Sequence, residues 1–246
     1  MKKHIPNIIT SLNLLSGCIA ILFVLSGDLV IASFLVLLGM FFDFFDGLAA
    51  RLLHVQSEIG LQLDSLADMV TFGVVPGLMM FQLLNKAVTP HVLETSFENS
   101  ETIVGFEAGM SFLPFIGLLI ILASAYRLAK FNVDSRQTSS FIGLPTPANT
   151  LLIISLPLIF QFQYTEFLES IIMNQWFLIG LTLVSSLLLN AEIPLFALKF
   201  KTWDFASNKV RYIFLVISLI TIIVLKFIAI PLIIIFYILL SLFTKE

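Results

Sequence analysis

Long apolar segments recur along almost the whole chain, and they constrain its fold more than any other feature. The hydrocarbon core of a bilayer is about 30 Å thick, so a helix needs roughly 20 apolar residues to cross it. Measured against that length, the sequence predicts about eight membrane-spanning helices. They cover residues 8–25, 29–51, 59–84, 108–131, 146–164, 171–190, 210–225 and 227–244. The expected fold class is therefore an all-α polytopic membrane protein.

The composition excludes the other broad classes. Of the 246 residues, 59% are hydrophobic and only 12% are charged, whereas soluble domains carry about 25% charged residues. Disorder requires low hydrophobicity and high net charge, and the net charge here is −3. The sequence has no internal repeat and no separate soluble segment. We therefore expect a single membrane-embedded domain over residues 1–246, which ends in a helix pair at about residues 210–244.

The distribution of lysine and arginine predicts the orientation. With the N-terminus in the cytoplasm and eight alternating spans, all 13 of these residues except Lys86 and Lys226 fall in cytoplasmic segments. Cytoplasmic loops carry such an excess, so both termini are expected in the cytoplasm. The acidic loop at about residues 85–107 is expected outside. The first span has a polar face, which is compatible with a position partly in the membrane interface.

Four aspartates lie inside two neighbouring predicted spans: Asp43, Asp46, Asp64 and Asp68. An aspartate at the centre of a membrane helix costs ~2.5–3.5 kcal/mol on insertion scales, and such residues are functional by default. Each pair is spaced so that its members share one helix face. Because the two helices are antiparallel about a turn near residues 55–56, the four carboxylates are expected to converge. Asp46 is then at the depth of Asp64, and Asp43 is at the depth of Asp68.

Four facing carboxylates predict bound cations. In a low dielectric they would repel one another strongly unless positive charge lies between them. Oxygen ligands suit hard divalent cations, and the four groups are enough for two ions, Mg²⁺ or Mn²⁺, with Ca²⁺ also compatible. Such ion pairs typically hold a phosphate or pyrophosphate. Nearby, Gly47, Ala50 and Gly60 allow a ligand to approach the backbone, and Arg51 offers a cation to phosphate oxygens.

The four aspartates belong to one longer sequence pattern over residues 43–68. It begins with D-F-F-D-G-L-A-A-R at residues 43–51 and continues, after eight residues, as G-x3-D-x3-D at residues 60–68. This pattern resembles the D-x2-D-G-x2-A-R-x8-G-x3-D-x3-D signature of the CDP-alcohol phosphatidyltransferases, with every specified position present. Residues 5–18, 126–133 and 141–148 further resemble bacterial phosphatidylserine synthases. Residues 187–201 depart from that resemblance, because the serine- and arginine-bearing stretch expected there is absent.

The resemblance implies a six-helix catalytic core, usually a homodimer, whose polar site opens to the cytoplasmic side of the cell membrane. It implies transfer of the phosphatidyl group from CDP-diacylglycerol to an acceptor hydroxyl, with release of CMP. Asp43, Asp46 and Asp64 would be metal ligands, and Asp68 would be both a ligand and the general base. The residues implied to contact CDP-diacylglycerol are Gly47, Ala50, Arg51, Ser57, Gly60 and, as weaker contacts, Asn7 and Thr10.

The acceptor implied by the resemblance is L-serine, whose carboxylate needs a cation. Arg127 and Lys130 lie at the predicted cytoplasmic end of the fourth span, and a guanidinium matches the two oxygens of a carboxylate. Arg127 is therefore the expected acceptor-binding residue, with Lys130 beside it. The other expected partners are the lipid bilayer and a second copy of the chain, and no nucleic acid. A turn at Gly143 and Pro145 is expected to start the fifth span at residues 146–147.

Two alternatives stay open. An acceptor such as glycerol 3-phosphate or an inositol phosphate would need extra cations near the site. Lys130 and Arg136 can supply them, so spacing alone does not decide between acceptors. An ion-coupled transporter could also use intramembrane carboxylates, but it would need discontinuous helices and an internal repeat. The transporter hypothesis also does not explain why Arg51 and Gly60 occur at these positions.

Overall fold

Helices make up nearly all of the computed structural model, which describes residues 4–88, 111–134, 140–196, 204 and 208–243. Ten α-helices occur within these ranges. They are α1 Ile5–Leu25, α2 Leu29–Leu52, α3 Glu58–Asp68, α4 Val75–Val88, α5 Leu119–Val133, α6 Thr146–Phe162, α7 Glu166–Ile172, α8 Gln175–Asn190, α9 Lys209–Leu225 and α10 Ala229–Phe243. The predicted all-α fold class is confirmed. Arg136 and nearly all of the predicted acidic loop lie outside the described residues.

Irregular elements join some of these helices. A π-helix, Met69–Val74, connects α3 to α4 without a break, and a 3₁₀ turn, Leu113–Leu118, leads into α5. Two short strands, β1 (Ser140–Ile142) and β2 (Pro194–Phe196), pair in antiparallel fashion. The sequence analysis did not predict these strands. They connect the loop before α6 to the loop after α8.

Short polar side chains begin the helices that carry the aspartates. Asp28 caps α2 by accepting a hydrogen bond from the Ile31 N–H at 3.1 Å. Ser57 caps α3 by accepting one from the Gly60 N–H at 3.0 Å. Such caps each stabilise a helix by about 1 kcal/mol. The turn between α2 and α3 passes through His54, which has a positive φ of 54°, as the predicted antiparallel arrangement requires.

The predicted turn before the fifth span is confirmed. Gly143 has a φ of +77°, a conformation that glycine adopts without strain. A Cβ at this position would lie 2.7 Å from the Leu189 carbonyl oxygen, so a larger residue would also collide with the end of α8. Helix α6 then begins at Thr146, with Pro147 in its first turn, where a missing N–H costs nothing.

Within the described residues, five helical segments are long and apolar enough to cross a membrane, one of them the segment Lys209–Phe243, and the number rises to six if the bent pair α7 and α8 forms one span. Helix α6 is apolar but shorter, with 17 residues. Large hydrophobic side chains are exposed on most of these helices, for example Leu22, Phe44, Leu122 and Ile223. Exposed apolar surface of this extent is typical of a lipid-facing protein. The chain is therefore a multi-pass membrane protein.

The last helical segment, Lys209–Phe243, is a hairpin. Phe214 of α9 stacks on Phe236 of α10 at 5.9 Å between ring centroids, although a straight helix would hold these residues about 33 Å apart. The chain reverses at Lys226, whose φ is +50°. The two predicted C-terminal spans are thus separate antiparallel helices, which we call the C-terminal hairpin.

The third span occupies the centre of the bundle. Of its most apolar part, 61% is buried inside the protein, and Phe72, Met79, Leu83 and Leu84 are almost fully buried. Helix α1 packs against it and against α2. The polar face of α1 points inwards, because Thr10 and Asn13 are buried. A position of α1 partly in the membrane interface is therefore not needed to explain its polar face. Helix α1 is itself long and apolar enough to span the membrane.

Hydrogen bonds between helix ends agree with the predicted alternation of the spans. At the end opposite the aspartates, Gln163 Nε2 donates to the Leu225 carbonyl oxygen at 3.0 Å. At the end near the aspartates, Asn132 Nδ2 donates to Ser65 Oγ at 2.9 Å. Each bond joins the ends of two predicted spans that the predicted alternation places on the same side. Which side is cytoplasmic stays a prediction.

Candidate active site

Three of the four predicted aspartates form one acidic cluster. Asp43 on α2 and Asp64 and Asp68 on α3 each offer a carboxylate oxygen, and these oxygens lie within 4.8 Å of one another. The Asp43 carboxyl group is within hydrogen-bonding reach of both Asp64 and Asp68. Asp43 therefore contacts both members of the α3 pair rather than Asp68 alone. We call this set the carboxylate cluster.

Asp46 lies beside the carboxylate cluster but is not part of it. Its residue is only 5% exposed, and its Oδ2 atom has no hydrogen-bond partner. The Thr10 hydroxyl group faces its carboxylate from α1, and Asp43 and Asp64 interact with it electrostatically. A buried carboxylate oxygen without a partner is rare and requires an explanation. A bound cation would supply one.

The donor atoms fit a hard divalent cation. All of them are carboxylate oxygens, which Mg²⁺, Mn²⁺ and Ca²⁺ prefer. No described lysine or arginine forms an ion pair with these four aspartates. Without a cation, the cluster would hold several mutually repelling charges inside an apolar bundle. The acidic cluster can therefore bind a metal ion.

Asn13 is a polar contact of this cluster that the sequence analysis did not assign to the site. Its Nδ2 atom donates to Asp68 Oδ1 at 3.3 Å, and its side chain is fully buried. The Thr71 hydroxyl group donates to the Asn13 carbonyl oxygen at 3.2 Å. Gly39 leaves room for the pair, since a Cβ there would lie 2.8 Å from Thr71 Cγ2. The polar stripe along α1 was the signal that could have identified Asn13.

Three of the residues predicted to contact a nucleotide-linked lipid, Gly47, Ala50 and Arg51, lie near the end of α2. A Cβ on Gly47 would meet nothing within 4 Å, so this glycine does not serve helix packing. Ala50 is partly buried one turn further on. Arg51 is exposed, and its Nε atom donates to the Gly47 carbonyl oxygen at 3.0 Å. This hydrogen bond keeps the guanidinium close to the open surface at Gly47.

A second group of predicted contacts meets at the start of α3. A Cβ on Gly60 would lie 3.1 Å from Ser57 Oγ and 3.3 Å from Asn7 Oδ1. Gly60 therefore allows α1 and α3 to approach closely, with two polar side chains at the contact. Ser57 also caps α3, so its hydroxyl group has a structural role whatever else it binds.

Arg127 is buried at 6% exposure on α5 and interacts electrostatically with Asp68. Its Nε and Nη2 atoms have no hydrogen-bond partner. These two nitrogens form one edge of the guanidinium, and their N–H groups point the same way, in the geometry that binds a carboxylate or a phosphate through two bonds. Leaving a buried charged donor unpaired is costly. The free edge is therefore suited to an anionic ligand.

Lys130, the second cation predicted at this end of α5, has a different environment. It forms an ion pair with Glu192 at 3.4 Å between Nζ and Oε1. Glu192 precedes β2, in the segment that departs from the resemblance described above. Arg127 thus interacts electrostatically with Asp68 of the carboxylate cluster, whereas Lys130 forms its ion pair with Glu192.

Residues 3–188 match the family described as CDP-alcohol phosphatidyltransferase. The chain belongs to the CDP-alcohol phosphatidyltransferase family. The match contains the carboxylate cluster, Asp46, Asn13 and Arg127. It ends inside α8, so β2 and the C-terminal hairpin lie beyond the residues that define the family.

Individual family members with related sequences carry serine-specific names. The CDP-diacylglycerol–serine O-phosphatidyltransferase of Bacillus subtilis is 33% identical over 173 residues, which are 69% of this chain and 81% of that protein. The protein of the same name from Helicobacter pylori J99 is 31% identical over 151 residues, 61% of this chain and 55% of that protein. An archaetidylserine synthase from Methanothermobacter thermautotrophicus is 30% identical over 156 residues, 61% of this chain and 56% of that protein.

Proposed function

We propose that this protein is a CDP-diacylglycerol–serine O-phosphatidyltransferase. It transfers the phosphatidyl group of CDP-diacylglycerol to the hydroxyl group of L-serine and releases CMP. The family membership and the serine-specific names of its relatives support this activity. The structural observation that carries the proposal of an anionic acceptor is the buried Arg127, which interacts electrostatically with Asp68 and has an unpaired Nε–Nη2 edge.

We propose that Asp43, Asp46, Asp64 and Asp68 hold two divalent cations, Mg²⁺ or Mn²⁺, with Ca²⁺ as a further compatible ion. The oxygen-only donor set and the unpartnered Oδ2 of Asp46 support this assignment. When bound, the ions stabilise negative charge on the phosphate groups as the phosphoryl bond is exchanged.

Asp68 is the proposed general base. The serine hydroxyl oxygen forms a new bond to the lipid-linked phosphorus, the bond from that phosphorus to the CMP oxygen breaks, and the hydroxyl proton passes to Asp68. A carboxylate must be within hydrogen-bonding reach of that proton. The hydrogen bond from Asn13 to Asp68 Oδ1 restrains the direction of the carboxylate.

The proposed lipid-nucleotide site is the open space beside α2 together with the start of α3. Gly47 has no side chain, and a Cβ there would meet nothing within 4 Å, which supports close approach of a ligand to the backbone. Arg51 is exposed where it can contact phosphate oxygens. The proposed contacts are Asn7, Thr10, Gly47, Ala50, Arg51, Ser57 and Gly60.

Arg127 is the proposed ligand of the serine carboxylate, through its Nε–Nη2 edge. A phosphorylated acceptor could use the same edge but would carry more charge. Lys130, the nearby described cation that could compensate that charge, is already paired with Glu192. The preference for serine over glycerol 3-phosphate or an inositol phosphate is supported by the serine-specific names of the relatives. Lys130 remains a proposed outer contact of the acceptor, because it follows Arg127 by one helical turn.

Product identity tests the function. Purified protein is incubated with labelled CDP-diacylglycerol, Mn²⁺ or Mg²⁺, and one acceptor at a time: L-serine, glycerol 3-phosphate or inositol 1-phosphate. We expect labelled phosphatidylserine and CMP with serine, and only background product with the other acceptors, because Arg127 offers a single buried cation. Exclusive use of glycerol 3-phosphate would overturn the serine assignment while leaving the family chemistry intact.

We further propose that the protein is a homodimer in the cell membrane, with both termini and the carboxylate cluster on the cytoplasmic side. The bias of lysine and arginine towards one set of loops supports this orientation. Acyl chains then stay in the bilayer while the nucleotide reaches the aqueous side where CMP leaves.

Cysteine labelling tests the orientation. The single cysteine, Cys18, is exposed and is first replaced by alanine. A cysteine introduced at Ser96 is then expected to react with a membrane-impermeant reagent on intact cells, whereas one at Ser207 reacts only after permeabilisation. Both positions lie outside the described residues. The reverse labelling pattern would contradict a cytoplasmic site.

A further inference from the structure

The chain crosses the Arg127 face of α5 as it leaves α8, and two contacts fix its path. The Asn190 Nδ2 atom donates to the Ala123 carbonyl oxygen at 3.0 Å, and Glu192 forms its ion pair with Lys130 at 3.4 Å. Ala123, Arg127 and Lys130 are spaced by four and three residues, so they share one face of α5. The chain from Asn190 to Glu192 therefore passes along that face, with one contact on each side of Arg127.

Asn190 and Arg127 share a hydrogen-bond acceptor. Within a helix each N–H group donates to the carbonyl oxygen four residues earlier, so the Ala123 oxygen also accepts from the Arg127 N–H. Two hydrogen bonds of about 3 Å to one oxygen place the Asn190 amide nitrogen within about 6 Å of the Arg127 backbone nitrogen. Helical side chains lean back over the preceding turn. The Arg127 side chain and the Asn190 amide are therefore directed to the same turn of α5.

The surroundings of the Asn190 amide determine its orientation. Its nitrogen faces two carbonyl oxygens, that of Ala123 at 3.0 Å and that of Ser186 at 3.5 Å. A carbonyl oxygen accepts hydrogen bonds and cannot donate them, so the NH₂ group must be the one that faces them. The amide oxygen, Oδ1, is then directed elsewhere. It is buried and has no hydrogen-bond partner among the described residues.

Three buried polar groups on or beside this turn lack partners within the described part of the chain. They are Asn190 Oδ1, the Nε–Nη2 edge of Arg127, and the hydroxyl group of Ser124, which is fully buried. Buried polar groups without partners are rare and point to a bound molecule. The guanidinium can only donate and the amide oxygen can only accept. A simple anion would satisfy the first and leave the second unpaired, whereas a zwitterion satisfies both.

We propose that Asn190 binds the ammonium group of the acceptor amino acid through Oδ1, while Arg127 binds its carboxylate. This inference rests on the proposed function and deepens it. Of the three polar groups of L-serine, the hydroxyl group is assigned to Asp68 and the carboxylate to Arg127, and Asn190 supplies the partner of the third. Asn190 lies two residues beyond the family-matched residues, so the contact distinguishes an amino acid from other acceptors by means of a residue that the family match does not contain.

The test is Asn190→Leu in the full-length protein, which keeps the size and branching of the side chain and removes its polar atoms. We expect the KM for L-serine to rise about tenfold, the size of effect typical of a hydrogen bond to a charged group. The kcat and the KM for CDP-diacylglycerol should change less than twofold, which also shows that the variant is folded. Asn190→Ala, which adds no bulk, is measured alongside and should give the same result.

An acceptor analogue distinguishes binding of the ammonium group from a merely structural role. 3-Hydroxypropionate has the hydroxyl group and the carboxylate of serine but no ammonium group, and its inhibition constant is measured against L-serine. Asn190→Leu should leave this constant within about twofold of the wild-type value, whereas Arg127→Lys should weaken both serine and the analogue. If Asn190→Leu weakened serine and 3-hydroxypropionate by the same factor, the effect would be one of packing and the proposal would be overturned.

Thr182→Val is the matched control. It removes a fully buried polar group from the same helix, about two turns before Asn190, where the hydroxyl group donates to the Leu178 carbonyl oxygen at 2.7 Å. The serine KM of this variant should equal that of the wild type. If the wild-type protein makes no phosphatidylserine, the proposed function fails. If it does, and Asn190→Leu matches Thr182→Val in its serine KM, only the role of Asn190 fails.

Discussion

Asparagine in place of Asp43 or Asp64 is expected to lower phosphatidyl transfer by more than about a thousandfold. The amide keeps the shape of the side chain but loses the charge that holds a cation, and a metal ion supplies several kcal/mol of transition-state stabilisation, with 1.36 kcal/mol for each factor of ten. The measurement is CMP release by the purified variants. Chelation of the wild type should have the same effect, with recovery on addition of Mn²⁺ or Mg²⁺.

Asp28→Asn is the matched control for this prediction. Asp28 lies at the opposite end of α2 and caps that helix, and asparagine is an equally good cap. Its activity should therefore equal that of the wild type. Full activity after exhaustive chelation, or in Asp43→Asn, would contradict the metal assignment.

Asp68→Asn is expected to separate binding from turnover. Turnover should fall by about 10²–10⁴-fold, the usual cost of removing a general base. The affinity for CDP-diacylglycerol should stay near that of the wild type, because Asp43, Asp46 and Asp64 remain. Asparagine also keeps an oxygen that can accept the hydrogen bond from Asn13, so the local packing is preserved. Both quantities are measured on the same preparation.

Another outcome for this variant would identify a different role for Asp68. If CDP-diacylglycerol affinity and turnover fell in proportion, Asp68 would be a metal ligand alone, and the base would have to be sought elsewhere. Asp28→Asn again serves as the control, since it makes the same chemical change outside the cluster.

The position of the carboxylate cluster could be predicted from two features of the sequence. Helical periodicity placed each aspartate pair on one face, and the short turn near His54 made the faces meet. The exception is Asp46, which the sequence analysis expected to converge equally. A spacing of three residues turns a side chain about 60° away from Asp43, and this rotation directs Asp46 towards Thr10 of α1.

Other parts of the site could not be predicted, for physical reasons. Between apolar helices in lipid there is no hydrophobic driving force that selects a partner. The sequence of α10 therefore does not say that Tyr237 packs on Phe196. The contact also depends on a backbone carbonyl group of β2, whose pairing with β1 has no strong local signal in three-residue strands. Asn13 is a different case. The polar stripe of α1 could be recognised in the sequence, but the sequence did not show that Asn13 would contact Asp68.

The π-helix between Asp68 and α4 has a consequence for how this span tolerates change. A wider turn adds one residue to the helix, which rotates everything that follows by about 100°. The acids of α3 and the buried Met79 and Leu83 of α4 therefore follow two separate registers within one membrane crossing. The first half can direct carboxylates to the polar site while the second directs apolar side chains to the centre of the bundle. Deleting one residue between 69 and 74 would barely shorten the span, yet it would turn one of these two faces away from its partner.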